Sequence, residues 1–147
     1  MTDLDVVTWP NGVVVDAATV LREVDAVRAV CAIAWIDDST ILTPDQVAAE
    51  LVQASQAAAR HLVVTTVAAR LKRATSRALQ DKRDDLTARG VSPLEVRRQT
   101  RDEKRAYDEA AEAAEAARRA GNLLSDHTSR LQSIGNRVDV TYRVGGA

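Results

Sequence analysis

A chain of 147 residues with a formal net charge of −1 is about one domain long, and its overall charge selects no partner. Apolar residues make up 46%, but there is no Phe and only Trp9, Trp35, Tyr107 and Tyr142 are aromatic, so close helix–helix contact must replace bulky core filling; a globular enzyme pocket does not suit that composition. Cys31 is the single cysteine, which excludes an internal disulfide and a cysteine-built zinc cage.

Residues 1–10 hold two Asp and no Lys or Arg, unlike a signal peptide, and the apolar run 29–36 is far too short to span a bilayer. The expected location is the cytoplasm. Residues 3–9 and 13–15 are β-prone and flank Pro10-Asn11-Gly12, which predicts an N-terminal β-hairpin. Asp16 then caps a helix over 17–35, with Val20, Val24, Val27, Cys31 and Ala34 at helical spacing. Asp37-Asp38-Ser39-Thr40 ends it as a loop.

Two stronger helix starts follow. Thr43-Pro44-Asp45-Gln46 and Ser92-Pro93-Leu94-Glu95 share one grammar: a hydroxyl N-cap, Pro where its missing N–H costs nothing, and Gln or Glu at the third position. They open two long helices, 43–89 and 93–134, separated by the turn at Gly90. Val96, Thr100, Glu103, Tyr107, Ala110, Ala114, Ala117, Gly121, Leu124, Thr128 and Leu131 follow a 4-3 spacing along the second. Folding the chain at Val91 pairs positions whose numbers sum to about 182. Leu86 then meets Val96, Ala68 meets Ala114, His61 meets Gly121 and Leu51 meets Leu131. Small residues face each other through the middle, as an antiparallel helical hairpin in coiled-coil contact requires. Gly121 is expected to relieve crowding against His61.

The first long helix is apolar on more than one side around 62–71. Leu62, Val63, Val64, Val67 and Leu71 are therefore the candidate protein interface, covered either by the 17–35 helix or by another subunit. Finally, residues 138–144 alternate at period two and predict a strand that returns to the base of the helical hairpin, beside the N-terminal β-hairpin. The expected fold is mainly α in a single domain: an N-terminal β-hairpin and helix (1–42), a helical hairpin (43–134), and a C-terminal strand.

Charge is polarised. Residues 1–59 carry two basic and nine acidic side chains, whereas residues 70–105 carry twelve basic and six acidic. Arg98, Arg101 and Arg105 form a stripe, with Arg97 and Lys104 beside it; Arg70, Arg73 and Arg77 lie opposite the apolar face of the first long helix. These eight are the candidate nucleic-acid contacts, through phosphate rather than base, because only Tyr107 is aromatic in that segment. The competing reading is a solvated face interlaced with Asp81, Asp84, Asp85, Asp102 and Glu103. His61 and His127 fall about two turns apart and are read as seam or surface residues, so no metal and no cofactor is expected. Ser125-Asp126-His127 resembles a catalytic triad only in letters, since consecutive helical residues point about 100° apart. No phosphate loop, dinucleotide turn, nucleophile elbow or zincin motif occurs. No small-molecule substrate is evident, and a catalytic role is not expected.

The basic helix, the Ala88-Arg89-Gly90 turn, Ser92, Arg97-Arg98, the alanine-rich helix, then 130–134 and 137–140 form an order that resembles small phage-encoded helical-hairpin proteins. The resemblance covers about residues 60–143. It implies an accessory role in DNA replication or recombination, within the host cytoplasm, and assigns no functional residue. The leading expectation is thus a non-catalytic, nucleic-acid-associated accessory protein. The alternative is a structural or assembly protein whose helical hairpin docks on other subunits or on itself.

Overall fold

The structure, a computed structural model, describes residues 6–32 and 43–146. Four helices occur among them: α1 (Ala17–Cys31), α2 (Pro44–Ala88), α3 (Pro93–Gln99) and α4 (Arg101–Gly145). The remainder of the expected first helix, including Trp35, and the loop at Asp37-Asp38 lie outside the described residues.

Each predicted start has its side-chain cap, but the reciprocal bond of a capping box is present at Thr43 and absent at Ser92, where the Glu95 carboxylate turns to Gln99 and Arg98. Asp16 Oδ1 accepts from Thr19 N–H at 2.7 Å, Thr43 Oγ1 accepts from Gln46 N–H at 3.2 Å, and Ser92 Oγ accepts from Glu95 N–H at 3.4 Å. At the far end of α2, Val91 N–H reaches Leu86 O at 3.1 Å and Gly90 N–H reaches Thr87 O at 3.0 Å. This is the Schellman arrangement, and it places Gly90 at φ +80°, where a side chain is strained.

The two arms then run antiparallel in the register read from the sequence. A Cβ added at Gly121 would stand 3.3 Å from the His61 ring, and one added at Gly135 would stand 3.2 Å from Val47 Cγ1. Both pairs sum to 182. The second arm is not one helix, however. It breaks at Thr100, where φ −103° and ψ 15° leave the helical well. Thr100 is buried and turns its hydroxyl back onto Val96 O at 2.8 Å, sharing that carbonyl with its own N–H at 3.0 Å.

Two β expectations are corrected. The 138–144 strand does not form; α4 continues through it to Gly145. An existing helix adds one backbone bond for each residue fixed, and no proline stops it, so propagation overrides a short β-prone window. The N-terminal turn does form, with Gly12 N–H on Trp9 O and Trp9 N–H on Val13 O, both at 2.8 Å. It carries only the isolated antiparallel bridge between Thr8 and Val14, with no named strand among the described residues. Asp16 begins α1 before a ladder can lengthen; Val15 joins the core with Val7 and Trp9 packed against it, while Val13 and Val14 stay exposed. The turn lies against the middle of α2, near Leu62–Arg70, not at the base, and no terminal sheet is present among the described residues.

α1 packs against both arms. It runs antiparallel to α2, with Thr19 beside Val63, Glu23 beside Arg60, and Val27 and Val30 beside Gln53 and Ala57. Val20, Val24 and Val27 join Ala54, Val64, Val67, Ala68, Ala113, Ala117, Ala120, Leu124 and Leu131 in one core. That core occupies the lower, three-helix half. Beyond it, Leu79, Leu86, Val96, Thr100 and Ala110 are buried in a two-helix arm. Arg60 clamps Glu23 through Nε at 2.7 Å, and this hydrogen bond holds the Glu23 carboxyl below its ordinary value of 4.5. A lowered pKa means that the clamp acts above about pH 4.5 and is lost as pH falls below it. The stability gap between wild type and Glu23→Gln is therefore expected to narrow on acidification, measured by urea titration at neutral pH and again below the ordinary carboxylate range. A gap that stays constant would count against the clamp.

Candidate basic surfaces of the arm

The eight predicted cations are all exposed, but they do not form one surface. Arg70, Arg73 and Arg77 line a cleft with Val6, Val7 and Thr8, so the N-terminal segment lies alongside them. Arg98 and Arg105 project from α3 and α4 opposite the seam residues Val96, Thr100, Glu103 and Tyr107, Arg101 lies toward the same side, and Arg97 and Lys104 lie on the flank. The two sets lie on different helices, and Arg73 also lines the groove between the arms.

Within the second set, neutralisation is uneven. Arg98 pairs with Glu95 at 3.2 Å. Lys104 pairs with Asp108 and stands 5.8 Å from the centre of the Tyr107 ring. Arg97, Arg101 and Arg105 make no ion pair among the described residues. Arg101 and Arg105 recur one turn apart on α4, with Arg97 on α3 across the break at Thr100. Lys82 and Glu103 join the arms at 2.5 Å, which removes that pair from the free charge of the tip.

The structure also gathers cations that spacing along one helix does not reveal. A groove of about 590 Å³ lies between the arms, and none of its lining residues belongs to α1. Lys72 and Arg73 enter it from α2; Tyr107, Glu115 and Arg118 enter it from α4; Ala69, Ala111 and Ala114 contribute its small side chains. Lys72 and Arg73 have no ion pair among the described residues. Arg118 holds Glu115 through Nε at 2.9 Å and Nη2 at 2.7 Å, and Arg119 reaches the same carboxylate at 3.0 Å. Those bonds hold the Glu115 carboxyl down at about 2, so it stays ionised and matched by two guanidinium groups.

Of the candidate protein interface, Val64 and Val67 belong to the core of the chain itself, and Leu71 is half-buried against it. The N-terminal turn and α1 account for the second apolar face. Leu62 remains 72% exposed and Val63 38%.

Both histidines are buried in the seam. His61 Nε2 donates to Ala117 O at 2.6 Å, which leaves Nδ1 as the acceptor of the ring. No group of three or more His, Cys, Asp or Glu able to hold a metal occurs among the described residues. No helix among them is long and apolar enough to cross a membrane. No protein-family model, curated protein or solved structure matches this chain.

Proposed function

We propose that this protein is a non-catalytic accessory protein of nucleic-acid metabolism, of the phage type that the order of its segments resembles, and that it meets the phosphate backbone with the outer face of its distal arm. The supporting observation is the set Arg97, Arg101 and Arg105, exposed and without ion pairs among the described residues. Arg98 and Lys104 flank it and exchange their intramolecular carboxylates for phosphate. Arg70 and Arg77 line a cleft beside the N-terminal segment and serve a separate contact. Such backbone recognition releases counterions and reads no sequence.

Fluorescence anisotropy of labelled duplex DNA across a salt series tests this. The wild type is expected to show a steep negative slope of log affinity against log salt. Reversing Arg97, Arg101 and Arg105 to Glu is expected to flatten that slope by about 3. An unchanged slope in the triple variant would remove the assignment.

One observation favours a second reading, a structural protein that docks on other chains. Gly135 sits against Val47, near the start of α2, yet α4 runs on to Gly145. About two turns of helix extend past the start of the other arm, with Val140, Tyr142 and Val144 exposed. A monomeric mass at high concentration, together with no partner in a pull-down, would end that reading.

A further inference from the structure

We infer that the groove between the arms is a binding site for single-stranded nucleic acid, with Lys72, Arg73 and Arg118 on the phosphates and a base stacked on Tyr107. This rests on the nucleic-acid reading above and adds to it a strand type and a second site.

Four observations converge. Cations from both arms meet here, Lys72 and Arg73 from α2 with Arg118 from α4. The groove lining offers three cations against one carboxylate, Glu115, and that carboxylate is already shared by Arg118 and Arg119. Its net field is therefore positive before any ligand arrives, with Lys72 and Arg73 free of ion pairs among the described residues. Tyr107, the one aromatic residue of the basic segment, stands half-buried at its wall, with the Lys104 ammonium over one face of the ring, so a base stacks on the other. Ala69, Ala111 and Ala114 keep the floor shallow enough for a base to approach the ring.

Size and chemistry then select the ligand. At about 590 Å³ the groove is too small to admit a duplex, whose bases are in any case stacked away from an aromatic wall. A single strand presents unstacked base faces and a flexible backbone. A cationic groove with an aromatic platform is the combination that binds such strands without sequence preference. An acidic peptide shares the charge but has no use for Tyr107, so the aromatic residue separates the two.

The experiment compares a labelled twelve-residue oligothymidylate with a twelve-pair duplex, by anisotropy, on the full chain. Four variants are needed: Lys72→Glu/Arg73→Glu, Tyr107→Leu, Tyr107→Phe, and the Arg97/Arg101/Arg105 charge reversal. Circular dichroism confirms that each keeps its helix content. Lys72→Glu/Arg73→Glu and Tyr107→Leu are each expected to weaken binding of the strand by about tenfold, and Tyr107→Leu to leave duplex affinity within twofold. Tyr107→Phe keeps the ring and is expected to retain strand binding. Strand affinity untouched by either Lys72→Glu/Arg73→Glu or Tyr107→Leu overturns the inference. If strand binding falls only in the Arg97/Arg101/Arg105 variant, the groove is excluded but the backbone reading stands. If wild type binds neither probe at low salt, both fall together.

Discussion

Leu131→Ala is expected to lower the free energy of unfolding by about 2–5 kcal/mol, read from the midpoint of a urea titration. Leu131 is fully buried and is the largest side chain in the core to be so. The core around it is built mainly of Val and Ala, and such small neighbours have little side chain with which to close a cavity. The loss should therefore lie toward the upper end of that range. Leu123→Ala on the same helix is the control. Leu123 is 44% exposed, and its truncation is expected to cost less than about 1 kcal/mol. Equal losses at the two positions would mean that the described packing is wrong.

Gly121→Leu is expected to cost about 3 kcal/mol, through overpacking and the displacement of a buried hydrogen bond. A first carbon at Gly121 already reaches 3.3 Å from His61 Cδ2 and Nε2. Anything larger must push the ring off Ala117 O, and the ring has the core behind it. Gly121→Ala sets two opposed effects against each other: about 1 kcal/mol of helix propensity gained, and a tight contact incurred. It should change stability little. The diagnostic measurement is the double variant His61→Ala/Gly121→Leu, whose loss should be clearly smaller than the sum of the two single losses. Additive losses would place the two residues out of contact.

Much of the helical hairpin was legible because three independent signals agree. Two proline-bearing N-caps, Thr43 and Ser92, set the starts, Gly90 sets the turn, and the 4-3 spacing sets the register, which Gly121 and Gly135 bear out at atomic distances. The break at Thr100 was not legible, since Thr occupies a regular seam position and only its buried back-bond distinguishes it. The C-terminal segment misled because alternation over seven residues fits a strand and a helix end equally well. Ile134 and Val138, read four apart, are the helical signal that alternation concealed. The double apolar face at 62–71 was visible in the sequence, but only the structure shows that the chain covers Val64 and Val67 itself. Outward-facing cations could likewise be read from helical period. The meeting of Lys72 and Arg73 with Arg118 depends on how each helix is rotated about its own axis, which no spacing within a single helix encodes.

Placing α1 on the lower half has a consequence for how the molecule acquires its shape. Pairs near the turn, such as Lys82 with Glu103, are 21 residues apart in the chain, whereas Val47 and Gly135 are 88 apart by their numbers. Loop-closure entropy rises with separation, so pairing begins most cheaply at Gly90 and proceeds downward like a zipper. Yet the first turns to close bury the least, in a two-helix arm, and the strongest packing arrives last, when the base meets α1. The route is therefore uphill until the lower half closes, and the arm that forms first is held in place by the part that forms last.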